Sequence, residues 1–302
     1  RQNQVVHDIA ITQNTFNIDL VLAQAEHAAT GNSPKGWFEF KSGDNIDIVG
    51  NYFTGAPSVI GVTQHSDEGR TPWTKVKNLN IESNFVNSTY DVNLSRQFII
   101  LALIDPFNSN EPGFNTTITN NLVKEAVIVP MQSSGNDTTL MSHNTFTGQA
   151  GGGYGNCTVF AEGGPAIAFT FTDNIASFIA NGLSCQIAPF GQSDCFPGGV
   201  FDHNVIVDTA AAGVTVNSFG AASILAPIKT AFSQVGFVNT AINDYRLSGS
   251  SDFKGDGTGG SDPGVEWSAL VTALGFDPSA VAGPVVTTAG KVTISGAVRV
   301  GP

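Results

Sequence analysis

The sequence predicts an all-β protein, a single-stranded right-handed parallel β-helix of about seven or more coils, with a short C-terminal capping helix and a β tail. Three observations lead to this prediction. A short apolar pattern centred on asparagine recurs through the first two thirds of the 302 residues. The intervals between its copies suit one coil of such a fold. Charged residues make up only 13% of the chain, about half the usual share, and the 34 glycines are typical of turn-rich β structure.

The repeated pattern has an apolar residue three positions before an asparagine and another apolar residue two positions after it. The seven asparagines are Asn14, Asn51, Asn84, Asn121, Asn144, Asn174 and Asn204. The flanking residues run from Ile11 and Phe16 in the first copy to Phe201 and Ile206 in the last. The residues five before each asparagine, from Ile9 and Ile46 onward, continue an alternation of period two with those three before, more weakly in the later coils. This period predicts strands and excludes an amphipathic helical repeat. Successive asparagines lie 37, 33, 37, 23, 30 and 30 residues apart, so we interpret the longer intervals as coils that carry inserted loops.

The repeated asparagine has a physical role in such a stack. Asparagine tolerates the left-handed backbone that a sharp turn between strands needs. When coils stack, equivalent amide side chains can also hydrogen-bond to one another as a ladder. We therefore predict a structural role for all seven asparagines.

The C-terminal part of the chain changes character. Asp262 and Pro263 have the residue types of an N-cap and a first helical residue, and Gly275 is typical of a helix end. Apolar residues recur between them at helical spacing, at Trp267, Leu270, Val271 and Leu274. We expect this helix to cap the open end of the coil stack. The predicted organisation is a β-helix with its cap over residues 1–279, and a linker and β-strand tail over 280–302 that leads to a further domain or a partner subunit.

The first coil raises the question of what covers its edge, because an uncovered strand edge invites association. The region from Val5 to Phe16 shows no preceding cap in the sequence. Two hypotheses remain open: a segment of a longer precursor covers it, or a neighbouring subunit does. In the second case the one-faced strand Lys291 to Val300 is the candidate for a donated strand, which makes self-association through the chain ends a hypothesis.

Charge and cysteine content narrow the partners and the compartment. The net charge is −12 with only 13 lysines and arginines, which argues against nucleic acid as a partner. The longest apolar run, Phe98 to Ile104, is too short to insert in a membrane. We expect a secreted or cell-surface protein in which Cys185 and Cys195 form a disulfide and Cys157 is free; three reduced cysteines in a cytosolic chain are the alternative.

Two segments carry a family resemblance. The stretches SGDNIDIVGNYFTG (42–55) and VKNLNIESNFVNST (76–89) resemble coils of pectate-lyase-like right-handed parallel β-helix proteins. The region from Gly36 to Lys75 is similar to a group of uncharacterised secreted bacterial β-helix proteins. The resemblance covers roughly residues 5–265 and implies the fold. The catalytic motifs of polygalacturonases and pectate lyases do not occur in the sequence, so the resemblance implies no particular activity.

The insert between the second and third coils is the best candidate for chemistry. It combines acidic, basic and aromatic side chains within a short span, and Arg96 and Asp105 in the next insert would emerge on the same side one layer away. An arginine or lysine can neutralise a uronate, a histidine can move a proton, and a tryptophan can stack on a sugar ring. An ordered polar loop without ligand is the structural alternative. The candidate ligand-binding residues are His65, Asp67, Glu68, Arg70, Trp73, Lys75, Arg96 and Asp105.

Other clusters are weaker candidates. His143 and His203 occupy the same position of the repeat, directly before the asparagine, which favours a structural role over catalysis. Asp252, Asp256 and Asp262 lie in a glycine-rich stretch, but their spacing does not match the calcium loop of an EF-hand. We therefore predict no metal site and no cofactor, with calcium at these aspartates as the alternative.

Three hypotheses for function follow. The first is a secreted or cell-surface scaffold that binds an extended, neutral polysaccharide through loops on one face. The second is a polysaccharide lyase or glycoside hydrolase with an atypical site in the inserts, which leaves the question of enzymatic activity undecided. The third is a structural, adhesive or filament-forming extracellular protein.

Overall fold

Each copy of the asparagine pattern forms one coil, in which short strands follow one another and join different parallel sheets. A computed structural model of the chain describes residues 6–17, 25, 28–30, 37–54, 58–63, 76–87, 97–102, 114–124, 129–134, 137–147, 159–161, 166–177, 183–185, 196–209, 213–214, 224–281 and 293–294. The arrangement confirms the predicted parallel β-helix.

Three parallel sheets run the length of the stack, with strands numbered in chain order. The first sheet contains β1 (His7–Thr12), β4 (Gly43–Val49), β7 (Val76–Glu82), β10 (Phe114–Thr119), β13 (Asp137–Ser142), β16 (Ile167–Thr172) and β19 (Val200–Asp202). The second contains β2 (Thr15–Asn17), β5 (Tyr52–Thr54), β8 (Phe85–Asn87), β11 (Leu122–Lys124), β14 (Thr145–Phe146), β17 (Ile175–Ser177) and β20 (Val205–Val207). The third contains β3 (Phe38–Phe40), β6 (Ser58–Thr63), β9 (Gln97–Ala102), β12 (Val129–Ser134), β15 (Val159–Ala161) and β18 (Leu183–Cys185).

The interior of the stack is filled by the apolar residues that define the repeat. In the first sheet the residue three before each asparagine pairs in register with its equivalent in the next coil, as Ile11 does with Ile48 and Ile48 with Ile81. The row continues to Phe201, and all seven side chains are buried. In the second sheet Phe53, Val86 and the residues after them are equally buried. Each such side chain contributes about 1.5–3 kcal/mol to folding, which explains why the pattern is kept in every coil.

The seven asparagines form the predicted ladder at the turn between the first and second sheets. From Asn14 to Asn174, each backbone N–H and each side-chain Nδ2 donates to the Oδ1 of the next asparagine, at 2.9–3.2 Å. The Nδ2 of each rung from Asn51 to Asn204 also donates to a backbone carbonyl of the preceding coil. The ladder therefore satisfies buried polar groups on both sides of every rung.

The left-handed residue of the turn is not the asparagine, contrary to the prediction. The residue directly before it adopts positive φ in all seven coils, at Gln13, Gly50, Ser83, Asn120, His143, Asp173 and His203. A second left-handed residue lies six positions before each asparagine, at Asp8, Asn45, Asn78, Asn115, Thr138, Ala168 and Gly198. The ladder asparagine instead acts through its side chain, whose Oδ1 accepts and whose Nδ2 donates hydrogen bonds between coils.

A C-terminal lobe, residues 224–281, packs on the outer face of the second sheet. It contains a two-stranded antiparallel ribbon, β21 (Phe237–Asn239) with β22 (Asp244–Leu247), and the helix α1 (Trp267–Leu274). Single 3-10 turns occur at Phe232–Gln234, Thr240–Ile242, Thr258–Gly260 and Pro278–Ala280. The outward side chains of the second sheet are buried beneath the lobe, among them Tyr52, Phe85 and Leu122. The second sheet is therefore apolar on both faces.

The C-terminal helix is present, but it begins later than predicted. Glu266, not Asp262, is the N-cap, and its carboxylate accepts from the backbone N–H groups of Ser268 and Ala269. Gly275 ends the helix in the left-handed conformation, as predicted. The helix does not cover the open end of the stack, where it was expected. It lies against the side, because Trp267, Leu270 and Leu274 pack with the outward residues of the second sheet.

A return segment, residues 258–281, runs back along the stack towards its first coil. It contacts coils in reverse order, each time at a residue directly beside the asparagine of the repeat. Its hydrogen bonds are Thr258 N to Asp173 Oδ1 (2.7 Å), Val265 N to Thr145 Oγ1 (3.0 Å), Glu266 N to Asn120 Oδ1 (2.6 Å) and Gln13 Nε2 to the Ala273 carbonyl (3.2 Å). The row of turn residues therefore sets the register of the lobe.

The tail strand covers part of the first coil of its own chain. The strand β23 (Thr293–Ile294) pairs antiparallel with β1, placing Ile294 opposite Ile9 and Thr293 opposite Ala10. The sequence hypotheses placed a precursor segment or a neighbouring subunit at this edge. In the structure the strand predicted within Lys291 to Val300 pairs there within the chain.

Candidate functional site

The inserts that the sequence favours for ligand binding lie outside the described residues. This holds for His65, Asp67, Glu68, Arg70, Trp73, Lys75, Arg96 and Asp105. Their assignment stays a prediction. The same applies to the predicted disulfide, since Cys185 belongs to β18 but Cys195 and Cys157 lie outside the described part of the chain.

The two histidines of the repeat have structural contacts. The Nδ1 atom of His143 lies 3.3 Å from the Gly264 carbonyl, and its Nε2 lies 3.9 Å from Oδ2 of Asp173. His143 therefore links the fifth coil to the return segment. The Nδ1 atom of His203 lies 3.1 Å from the Asp202 carboxylate beside it. These contacts fit the structural role that the repeat position favoured.

Two of the three aspartates considered for calcium form ion pairs. Asp252 pairs with Lys229 at 2.5 Å, and Asp262 pairs with Lys254 while accepting from the backbone N–H of Gly255. Within the described residues, no group of three or more histidines, cysteines or acidic side chains is arranged to hold a metal ion. The two lysines occupy carboxylate oxygens that a calcium ion would need.

A polar surface covers the outer face of the first sheet in coils one to four, and we call it the amide face. Its members are Asp8, Asn45, Asp47, Asn78, Asn80, Asn115 and Thr117, which line a shallow groove of about 480 Å³. They form two rows. One row contains the left-handed residues at the start of each strand, and the other contains mid-strand residues that pair in register, Asp47 with Asn80 and Asn80 with Thr117. The groove therefore has a polar side chain from the left-handed row in each of the four coils and one from the mid-strand row in three of them.

Hydrogen bonds between coils hold the amide face in order. Nδ2 of Asn45 donates to Asp8 at 3.0 Å, Nδ2 of Asn115 donates to Asn78 at 3.0 Å, and Nδ2 of Asn80 donates to Asp47 at 3.2 Å. The amide of Asn45 and then His7 lower the pKa of the Asp8 carboxyl by hydrogen bonding to it. Each amide spends only part of its capacity in these contacts, because an asparagine side chain offers two donors and two lone pairs. The remainder is exposed along the groove.

A second concavity lies where the lobe meets the coil stack, and we call it the interlobe cleft. It has a volume of about 640 Å³, and its polar lining includes His143, Arg246, Lys254, Asp262 and Glu266. The guanidinium of Arg246 lies over the ring of Trp267, 5.6 Å from its centroid. The cleft thus combines one side chain from the fifth coil with several from β22 to α1, about a hundred residues later.

Ion pairs fix the charged groups of the interlobe cleft. Arg246 binds the buried Asp244 through two hydrogen bonds, Nε to Oδ1 at 2.8 Å and Nη2 to Oδ2 at 2.5 Å. These bonds lower the pKa of the Asp244 carboxyl and raise the pKa of Arg246. The pKa of the Glu266 carboxyl is lowered first by the hydroxyl of Ser268 and then by the helix amides. Both carboxylates are therefore ionised at neutral pH.

Three comparisons with known proteins were negative. A scan of protein-family models, a search of curated proteins and a search of solved structures each found no match. Among the described residues, no helix has the length and apolar character needed to cross a membrane. The sites must therefore be interpreted from their own chemistry.

Proposed function

We propose that this protein is a secreted or cell-surface scaffold that binds an extended, neutral polysaccharide along the amide face. The observation that carries the proposal is the repetition of amide, carboxylate and hydroxyl groups over four successive coils in one groove. Three intervals between four layers span about 14 Å at ~4.8 Å per layer. A surface of that length with polar side chains in every layer suits a polymer whose hydroxyl groups also repeat.

The groups of the amide face match hydroxyl chemistry. Sugar hydroxyls donate and accept hydrogen bonds, and so do amide side chains, whereas carboxylates accept only. Because Asn45, Asn78, Asn80 and Asn115 are tied to one another or to neighbouring aspartates, their orientation is set before a ligand arrives. Such ordering lowers the entropy cost of binding.

The charge of the surface argues for a neutral polymer. Asp8 and Asp47 lie in the groove, and the chain as a whole carries a net charge of −12. A polyuronate would be repelled at this surface in the absence of a bound cation. The pectate-lyase-like resemblance of the coils supports a carbohydrate partner and an extracellular location, while the groove favours binding without requiring catalysis.

Binding and turnover can be separated by experiment. Calorimetry with soluble neutral polysaccharides (a xyloglucan, a galactomannan and a β-1,3-glucan) and with polygalacturonate should detect at least one neutral ligand. The double variant Asp47→Ala/Asn80→Ala should weaken that binding at least roughly tenfold, because two or more hydrogen bonds of about 0.5–1.5 kcal/mol each are lost. These positions are mid-strand, so the substitutions avoid the strain of the left-handed row.

A matched pair of threonines provides the control. Thr117→Val removes a hydroxyl from the amide face, and Thr170→Val removes one from the same register position two coils further on, outside the groove. Only Thr117→Val should reduce binding, with both melting temperatures close to that of the parent protein. Unchanged affinity in the double variant, or no neutral ligand at all, would contradict the proposal. Release of new reducing ends would instead favour the glycoside hydrolase or lyase hypothesis.

A further inference from the structure

We propose that the interlobe cleft is a separate binding site for a small, uncharged, polyhydroxylated ligand, of the class of neutral mono- and disaccharides. The cleft shares no lining residue with the amide face. The inference is therefore independent of polysaccharide binding there and stands or falls on its own geometry.

The shape and position of the cleft are those of a ligand pocket. Its volume of about 640 Å³ lies within the usual range of roughly 300–1,000 Å³, and such sites form preferentially where two structural units meet. The walls include the buried side chains of Leu247 and Val265 and the half-exposed Val238. An apolar wall beside polar groups matches a sugar ring, which presents C–H faces and hydroxyl edges.

The cleft has hydrogen-bond donors left over. Arg246 uses two of its five N–H groups on Asp244, and Lys254 uses one of its three on Asp262. In the described part of the chain, neither side chain makes another hydrogen bond. Their side chains are half exposed, at 50% and 48%. Because the pairing with aspartate holds each head in place, the remaining N–H groups are directed without further ordering.

Acceptors lie beside these donors. The Glu266 carboxylate takes three hydrogen bonds, from the Ser268 backbone and hydroxyl and from the Ala269 backbone, out of about four lone-pair sites. Asp262 takes two. A hydroxyl group can accept from a lysine or arginine and donate to a carboxylate, and charge-assisted bonds of this kind are about twice as strong as neutral ones.

The balance of charge selects against an ionised ligand. The two cations of the cleft, Arg246 and Lys254, are each matched by an aspartate, and Glu266 adds one more negative charge. A carboxylate ligand would meet no net positive charge and would have to compete with Asp244 for the guanidinium. An ammonium ligand has only donors, so it could not accept from the remaining N–H groups of Arg246 and Lys254. A neutral ligand with several hydroxyls uses the free donors and acceptors without this cost.

The test uses the intact chain and defined small sugars. Ligand-observed NMR and calorimetry would be run with glucose, galactose, mannose, xylose, N-acetylglucosamine and their β-linked disaccharides, with glucuronate and galacturonate as charged comparators. At least one neutral sugar should bind with a dissociation constant of roughly millimolar or below, as a few directed hydrogen bonds allow. The uronates should bind more weakly than the neutral sugars.

Variants locate the binding. Arg246→Lys keeps a cation for the buried Asp244 but removes the guanidinium fork, and Lys254→Met removes the exposed ammonium while keeping the length of the side chain. Each should weaken sugar binding at least fivefold. Lys41→Met is the matched control, because Lys41 is similarly exposed, at 54%, and pairs with Glu39 in the first coil region. It should leave sugar binding unchanged.

The outcomes separate this site from the amide face. Small-sugar binding that persists in Asp47→Ala/Asn80→Ala and falls in the two cleft variants supports the proposal. It is overturned if no neutral sugar binds, if uronates bind more tightly, if Lys41→Met has the same effect as Lys254→Met, or if the amide-face variant alone abolishes binding. Polysaccharide binding by the amide face is unaffected by any of these results.

Discussion

Replacing one interior rung of the asparagine ladder should cost far more than replacing the first rung. Asn121 makes five side-chain hydrogen bonds: Nδ2 donates to the carbonyls of Ile81 and Thr119 and to Oδ1 of Asn144, and Oδ1 accepts from the backbone and side chain of Asn84. In Asn121→Ala the buried backbone N–H of Asn84 loses its acceptor, at about 1–3 kcal/mol, and the other lost bonds add about 0.5–1.5 kcal/mol each where nothing replaces them. We expect a loss of about 3–5 kcal/mol in the free energy of unfolding.

The first rung provides the matched comparison. The side chain of Asn14 donates to the Thr12 carbonyl and to Oδ1 of Asn51, and its own buried Oδ1 has no partner among the described residues. Asn14→Ala therefore removes weaker contacts together with an unpaired acceptor, and we expect a loss of about 1 kcal/mol. Urea titrations followed by circular dichroism and by tryptophan fluorescence give both values, provided that the slope m is unchanged. Equal losses at the two positions, or a loss below about 1 kcal/mol for Asn121→Ala, would refute the ladder as a source of stability.

Three further predictions concern the lobe and the tail. Gly50→Ala should lower the melting temperature markedly, because a Cβ at this left-handed residue would lie 2.2 Å from a carbonyl oxygen of α1. Gly198 is equally left-handed but has open space around it, so Gly198→Ala should cost only the backbone strain. Similar losses in the two variants would count against close docking of the helix. Arg246 lowers the pKa of the Asp244 carboxyl, so this carboxylate stabilises the fold above its unfolded pKa of about 3.9, and the contribution is lost as the pH falls through the lower folded value. The Asp244→Asn variant should therefore be less stable than the parent protein at pH 7 and lose less stability on acidification to pH 3. Parallel losses in the two proteins would contradict the assignment. Deleting residues 282–302 should speed hydrogen exchange in β1 but not in the interior strands of the first sheet, and unchanged exchange in β1 would mean that the tail does not protect it.

The coil stack could be predicted from the sequence because its determinants are local. An inward residue such as Ile81 and the asparagine three positions later lie in one strand and its turn, so their spacing survives whatever loops follow. The left-handed positions could also have been predicted from the sequence, but the prediction did not include them. Six positions before the asparagine the first four coils have Asp8, Asn45, Asn78 and Asn115, residue types that tolerate positive φ. The prediction assigned that role to the ladder asparagine itself, whose side chain has a different task.

The position of the C-terminal helix could not be predicted as readily, because its partner surface is spread over the repeats. The strands of the second sheet carry consecutive apolar residues, such as Tyr52 with Phe53 and Phe85 with Val86. One residue of each pair points into the coil and the other out of it, which is the pattern of a strand buried on both faces. That signal indicates a layer outside the stack. Because this pattern was not used, the helix was predicted to cover the open end of the stack instead.

The two candidate sites differ in the same way. The amide face arises from neighbouring copies of one repeat, so its residues can be found by aligning the coils. The interlobe cleft joins His143 to Arg246 and Glu266, and no local pattern connects them. It depends on the register of the return segment, which is fixed by single hydrogen bonds such as Glu266 N to Asn120 Oδ1. Sequence spacing alone contains no such information.

The path of the C-terminal region also bears on self-association. The hydrogen bonds between β23 and β1 are formed within one chain, and the same bonds would be made if a neighbouring copy donated its tail. The two arrangements differ mainly in concentration, because a tethered strand acts at an effective concentration of roughly millimolar. The tail of a separate chain at micromolar concentration competes poorly with the tethered strand. Since the lobe is held along the side of the stack and leads the tail back towards the first coil, the geometry favours closure within the chain over a filament of exchanged strands.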